Sequence, residues 1–98
     1  MPYFALRYTT AADYLQRRGT HREAHLRLVT RFRDSGHLLL AGAYAAPTDG
    51  ALLIFRCPSR AEVEAFAKAD PYVAHGLVTA YDIREWTVVA GALYAREP

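Results

Sequence analysis

The stretch from Leu38 to Cys57 constrains the fold more than any other part of the chain. It reads as two strands, Leu38 to Ala46 and Ala51 to Cys57, joined by the turn-forming Pro47-Thr48-Asp49-Gly50. Successive side chains of a strand point to opposite faces, and here neither face is polar. Leu52 and Ile54 oppose Leu53 and Phe55, while Leu38, Leu40 and Tyr44 oppose Leu39, Ala41 and Ala43. Antiparallel sheets with one wet face alternate apolar and polar residues cleanly, so this hairpin belongs to a sheet covered on both sides. A chain of 98 residues has room for one core, and residues 1–98 are read as a single domain.

The flanking segments supply the rest of that sheet and one of its covers. Tyr3 to Thr9 is aromatic-rich and β-prone. Ala11 to Arg18 suits a short helix stopped by Gly19. Thr20-His21-Arg22-Glu23 then has the capping-box pattern, opening a second helix that runs to about Ser35 and ends at Gly36. His25, Leu28, Val29 and Phe32 form its inward arc, with His21 on the same side. Ser59-Arg60-Ala61-Glu62 repeats the capping pattern before a helix whose apolar side is Val63, Phe66 and Ala67. Asp70-Pro71 restarts the chain with a carboxylate cap and proline at the first helical position, and Gly76 stops it. Tyr81 to Ala90 is the last strand, with Ile83, Trp86, Val88 and Val89 as its bulk.

The order βαββαβ predicts an α+β, ferredoxin-like fold: a four-stranded antiparallel sheet with the helices on one face. The helices cover that face only. A second copy of the chain, laid sheet to sheet, is the expected cover for the other. Hiding ~600 Å2 of aliphatic surface per subunit is worth roughly 15 kcal/mol before association costs.

Composition narrows the function classes. Net charge is +2, carried by eleven arginines and one lysine, and Arg22, Arg27, Arg31 and Arg33 spread over the polar side of their helix instead of forming a stripe. That distribution argues against a nucleic-acid partner. The longest run free of charged residues, Ser35 to Thr48, is too short to cross a bilayer. A lone cysteine, Cys57, rules out an internal disulfide, and Met1 to Leu6 has no basic leader. A cytoplasmic protein is expected.

Candidate chemistry rests on few residues. His21 and His25 are spaced to clasp a metal, but the pair lacks the central glutamate of the zinc-protease motif and a third ligand, so no metal is assigned. His25 sits where an aliphatic residue is expected. It is either a core histidine bonded to a carbonyl or an imidazole at a pocket wall, placed for proton transfer. Asp70 is the carboxylate with a fixed position: a helix cap, and one that could also orient a neighbouring imidazole. Tyr72 is placed to line a shared cavity, and Arg22, three residues before His25, is the candidate arginine for a substrate oxygen. Tyr3, Tyr8, Tyr44 and Tyr81 lie on strands and read as packing residues, and Cys57 as a packed thiol. No phosphate loop, nucleophile elbow or dinucleotide fingerprint is present, and no cofactor is assigned.

Arg22-Glu23-Ala24-His25-Leu26, the run Gly-His-Leu-Leu-Leu-Ala-Gly from Gly36 to Gly42, and Asp70-Pro71-Tyr72 followed by Gly76-Leu77 together resemble the YCII-related (YciI-like) domain family. The resemblance covers Tyr3 to Gly91 and departs at Ala43, where many relatives have proline. It implies a dimeric α+β barrel, related in architecture to muconolactone isomerases. It also implies an active-site pair at His25 and Asp70, in a family with a member that removes chloride from a hydroxylated aromatic ring. The expected function is a small cofactor-independent enzyme that uses His25 and Asp70 for acid–base chemistry on a small cyclic anion. Tyr72 or Arg22 would hold a substrate oxygen. The alternative is a ligand-binding or accessory domain with the same pocket and no catalysis.

Overall fold

Phe4, Leu6 and Tyr8 alternate along the first strand and are all buried, which fixes the inner face of the sheet. In a computed structural model that describes residues 1–94, this strand, β1 (Tyr3–Thr10), lies at the centre. It is followed by α1 (Tyr14–Asp34), β2 (Leu38–Ala43), β3 (Gly50–Arg56), α2 (Arg60–Ala69), the single turn α3 (Pro71–Ala74) and β4 (Val78–Trp86). The strand order is β2-β3-β1-β4 with every neighbouring pair antiparallel, the ferredoxin-like arrangement. Leu6 pairs with Leu53 on one side and Ile83 on the other, and all three are buried beneath the helices. Val63, Phe66 and Ala67 form the buried side of α2. The rings of Phe32, Phe55 and Phe66 meet edge to face, with centroids 5.1–6.3 Å apart, and join α1, β3 and α2 into one core.

Four local expectations need correction. Gly19 does not stop a helix: α1 runs through it, and Thr20 lies in the helix interior instead of capping it. A mid-helix glycine costs about 1 kcal/mol, and tertiary contacts on both sides of it offset that cost. Tyr14 and Leu28 are buried at the two ends, and Arg17 Nη2 donates to the His75 carbonyl at 2.7 Å. Ser59 does stand at the N-cap of α2, but its side chain makes no capping bond; Glu62 turns instead to His37 Nδ1 at 2.6 Å.

The other two corrections concern strands. A register shift between Leu38 and Leu40 reverses the expected alternation of β2. Leu38 and Ala41 pair with Phe55 and Leu53 on the helix side, whereas Leu40 pairs with Ile54 on the outer face. β2 also ends at Ala43 instead of Ala46. The last strand begins at Val78 and ends at Trp86, because its partner β1 begins at Tyr3, the residue opposite Trp86. Val88 and Val89 therefore lie beyond the ladder, and Val89 is 80% exposed.

The outer face is apolar on one half. Leu40, Leu52 and Trp86 are exposed there, and the segment from Val88 to Tyr94 returns across the same half, where Tyr3 Oη donates to the Leu93 carbonyl at 3.3 Å. On the other half Arg7 and Asp82, neighbours on β1 and β4, form an ion pair through Nε and Oδ1 at 2.9 Å. The hairpin strands are apolar on this face as expected up to Arg56, which ends β3 beside Tyr3, and the ion pair lies on β1 and β4.

Candidate active site

Asp70 joins two helices, closing α2 and capping α3 with an extended backbone. Pro71 follows at the first helical position, where it lacks only an amide that the helix would not use. This geometry turns the carboxylate inward, and Asp70 is the fully buried charged residue of the core. Its oxygens accept hydrogen bonds from three elements. The Tyr72 backbone N–H donates to Oδ1 at 3.0 Å, Tyr8 Oη on β1 donates to Oδ2 at 2.7 Å, and His25 Nδ1 on α1 stands 2.8 Å from Oδ1. An ionised carboxylate accepts only, so in this contact Nδ1 is the donor, and in the neutral ring Nε2 is the nitrogen that bears the lone pair.

The ring of His25 is held by packing as well. It lies flat on Tyr72, with centroids 3.9 Å apart and planes 10° from parallel. Tyr14 closes edge-on against the other side of the cluster, its centroid 5.6 Å from that of Tyr72, and the Arg18 guanidinium sits 5.7 Å above the Tyr14 ring.

Beside this cluster a cavity of about 230 Å3 opens between α1 and the sheet. Leu26, Val29, Ala41, Ala43 and Leu53 form its apolar wall. Its polar side carries His25, Tyr72, Arg18, Arg22, Tyr8 and Thr10. The hydroxyls of Tyr72 and Thr10 are buried there without a protein partner. Burial, and after it the charge of Asp70, pushes the Tyr8 phenol far above the ordinary tyrosine range. Burial and the neighbouring Tyr14 likewise raise the Tyr72 phenol, while Arg22 and Arg18 pull it back. Both phenols are therefore neutral donors at physiological pH.

His25 and Asp70, forty-five residues apart in the chain, are in direct contact. Tyr72 and Arg22 line the cavity beside His25, with Asp70 behind it. Sequence reasoning missed Tyr8, Thr10, Tyr14 and Arg18. A signal for Tyr8 existed: it ends the inward row Phe4-Leu6-Tyr8, and a phenol on a buried face has to find a polar partner.

The remaining candidates lie elsewhere. His21 stacks on His75, with centroids 4.1 Å apart. Among the described residues no cluster of three or more His, Cys, Asp or Glu side chains could hold a metal ion. Cys57 is buried, its thiol pushed up by burial and by Glu62. No helix among the described residues is long and apolar enough to cross a membrane.

The chain is similar to known proteins both in sequence and in fold. The YciI protein of Escherichia coli O6:H1 is 37% identical over 75 residues, which is 67% of this chain and 76% of that protein. The solved 5-chloro-2-hydroxyhydroquinone dehydrochlorinase TftG of Burkholderia phenoliruptrix, in complex with 2,5-dihydroxybenzoquinone, superposes with a TM-score of 0.74 at 22% identity. The match covers 87% of this chain and 93% of TftG. A Deinococcus radiodurans protein, described provisionally as an antibiotic biosynthesis monooxygenase, shares the fold with a TM-score of 0.61 at 12% identity, over 98% of this chain and all of that one. The model of the YCII-related domain matches residues 1–87, and with it the chain belongs to the YCII-related domain family.

Proposed function

We propose that this protein is an acid–base enzyme acting on small cyclic compounds, with His25 as the group that moves the proton and Asp70 as the residue that positions it. The observation carrying this reading is the 2.8 Å contact of Nδ1 with a buried carboxylate, which leaves Nε2 as the basic nitrogen of a side chain that lines a cavity. Nε2 takes a proton from an acidic C–H or O–H of the ring. The electron pair released forms a new C=C or C=O bond. In an isomerisation the imidazolium returns its proton to another atom of the ring. In an elimination the pair instead expels a leaving group such as halide, and the proton passes from His25 to solvent. Asp70 balances the imidazolium in both cases, and Tyr8 and the Tyr72 amide hold Asp70 in place.

The dehydrochlorinase activity of TftG, a protein of the same fold, supports the elimination branch. Arg22 and the Tyr72 hydroxyl bind a substrate oxygen, and no cofactor is required for the proton steps. The working unit is a dimer formed through the apolar half of the outer face. Chloride release from chlorinated hydroxyhydroquinones, followed with a chloride electrode, tests the reading. His25→Ala and Asp70→Asn are each expected to lower turnover by a factor of about 100 or more while the protein stays folded. Full turnover in both variants contradicts the mechanism, and binding without turnover in the parent protein marks a ligand-binding domain.

A further inference from the structure

The cavity is chemically lopsided in a way that the proton-transfer step does not use. One wall is aliphatic. The lining also includes Arg18 and Arg22, whose charges both act on the Tyr72 phenol, and Tyr72 is only 3% exposed with no hydrogen-bond partner for its hydroxyl. A buried hydroxyl left without a partner costs on the order of 1–3 kcal/mol, so an acceptor supplied by a ligand would recover that loss. Arg22 has no ion-pair partner among the described residues, whereas Arg17, Arg27 and Arg33 on the same helix each meet a carboxylate. Arg18 rests on the Tyr14 ring, which holds its side chain at the cavity without neutralising it.

We propose that Arg18, Arg22 and the Tyr72 hydroxyl form an oxyanion subsite, and that the substrate is a small ring compound whose carboxylate or ionised enol or phenol this subsite holds. This deepens the acid–base reading and rests on it for the position of the reacting atom. Three observations set the chemical class. Two cations and one donor, with no carboxylate among the cavity-lining residues, select a negatively charged oxygen. A volume of about 230 Å3 is below the ~300–1,000 Å3 of pockets for drug-sized ligands and suits a small ring compound. The flat stack of Tyr72 on His25 puts an oxygen bound at the phenol within a ring's breadth of the imidazole. The reacting carbon is thus near the oxyanion, where a conjugated negative charge can delocalise as the proton leaves. The Thr10 hydroxyl, also buried and unpartnered, is a second polar contact for a ring oxygen.

Calorimetric titration of the full chain with benzoate and benzyl alcohol tests the subsite without requiring turnover. Benzoate is expected to bind about tenfold more tightly than benzyl alcohol. The double variant Arg18→Gln/Arg22→Gln should lose about tenfold in benzoate affinity and leave benzyl alcohol unchanged. Tyr72→Phe, which keeps the ring stack, should weaken benzoate severalfold. Equal affinity for benzoate and benzyl alcohol overturns the subsite, as does undamaged benzoate binding in the double variant or no benzoate binding at millimolar concentration. His25→Ala separates the two readings, because it should keep benzoate binding. Arginine-dependent benzoate binding in a protein that turns over no cyclic substrate defeats the catalytic reading alone. Turnover of ring substrates that is indifferent to both arginines defeats the subsite alone.

Discussion

The phenol of Tyr8 sits in the core with Asp70 Oδ2 as its acceptor, and both residues are buried. Because burial and the Asp70 charge raise its pKa in the folded state, the unfolded chain gives up that proton first as pH rises. The sign follows: this contribution to stability is complete below the ordinary phenol range and is lost above it. Above pH ~10 stability should fall by about 1.4 kcal/mol per pH unit for each phenol that stays protonated only when folded. Urea unfolding between neutral pH and pH ~11 checks this. Tyr8→Phe is expected to be less stable at neutral pH and to show a shallower alkaline slope, whereas parallel slopes would mean that Tyr8 ionises freely. His25 and Asp70 are legible in the sequence for a related reason: each breaks a local pattern, an imidazole on an apolar arc and a carboxylate locked before a proline. Tyr8 is legible only in part: its place on the inward row calls for a polar partner, but which one stays hidden until the position of Asp70 is known. Arg18 is hidden by the expected break at Gly19, which separates it from the His25 helix.

At the scale of elements, α1 shows where local signals lose to packing. Gly19 and Thr20-His21-Arg22-Glu23 are a good stop and a good start, yet the helix is continuous for 21 residues because both halves rest on the same core. That continuity carries Arg18, Arg22 and His25 along one element and delivers all three to one cavity. Gly36 differs: its φ of +84° is a true left-handed terminus. The two glycines should respond oppositely to alanine. Gly19→Ala meets open space in a helix interior and should stabilise by about 0.5–1 kcal/mol. Gly36→Ala should destabilise by about 1 kcal/mol. Thermal melts of the two variants measure this, and destabilisation by Gly19→Ala would argue that α1 breaks there. Strand faces were less legible than helices. A single register shift in β2 exchanges Leu40 and Ala41 between faces, and alternation in a wholly aliphatic strand carries no mark of such a shift.

For the whole molecule, the open question set by the hairpin is what covers the outer face. The helices occupy one side, and the chain's own segment from Val88 to Tyr94 crosses part of the other. Leu40 and Leu52 still remain exposed, with Trp86 beside them. A second copy facing this patch would bury it, and the charged pair of Arg7 and Asp82 would lie toward one side of such an interface. Light scattering after gel filtration at micromolar concentration should give twice the 11.0 kDa chain mass, and Leu52→Glu should return it to the single chain. A parent protein that elutes at the single-chain mass removes the sheet-to-sheet dimer. The fold, by contrast, was legible almost whole, because the order of strands and helices leaves few ways to build one antiparallel sheet with two main helices on one face.

Catalysis by His25 requires that Asp70 hold the ring with Nε2 as the free base beside the cavity. Long-range 1H–15N correlation of the histidine rings, at a pH where His25 is neutral, tests this most directly. A proton on Nδ1 of His25 is expected in the parent protein, with that preference weakened in Asp70→Asn. A proton on Nε2, or spectra that do not change when Asp70 is replaced, would contradict it.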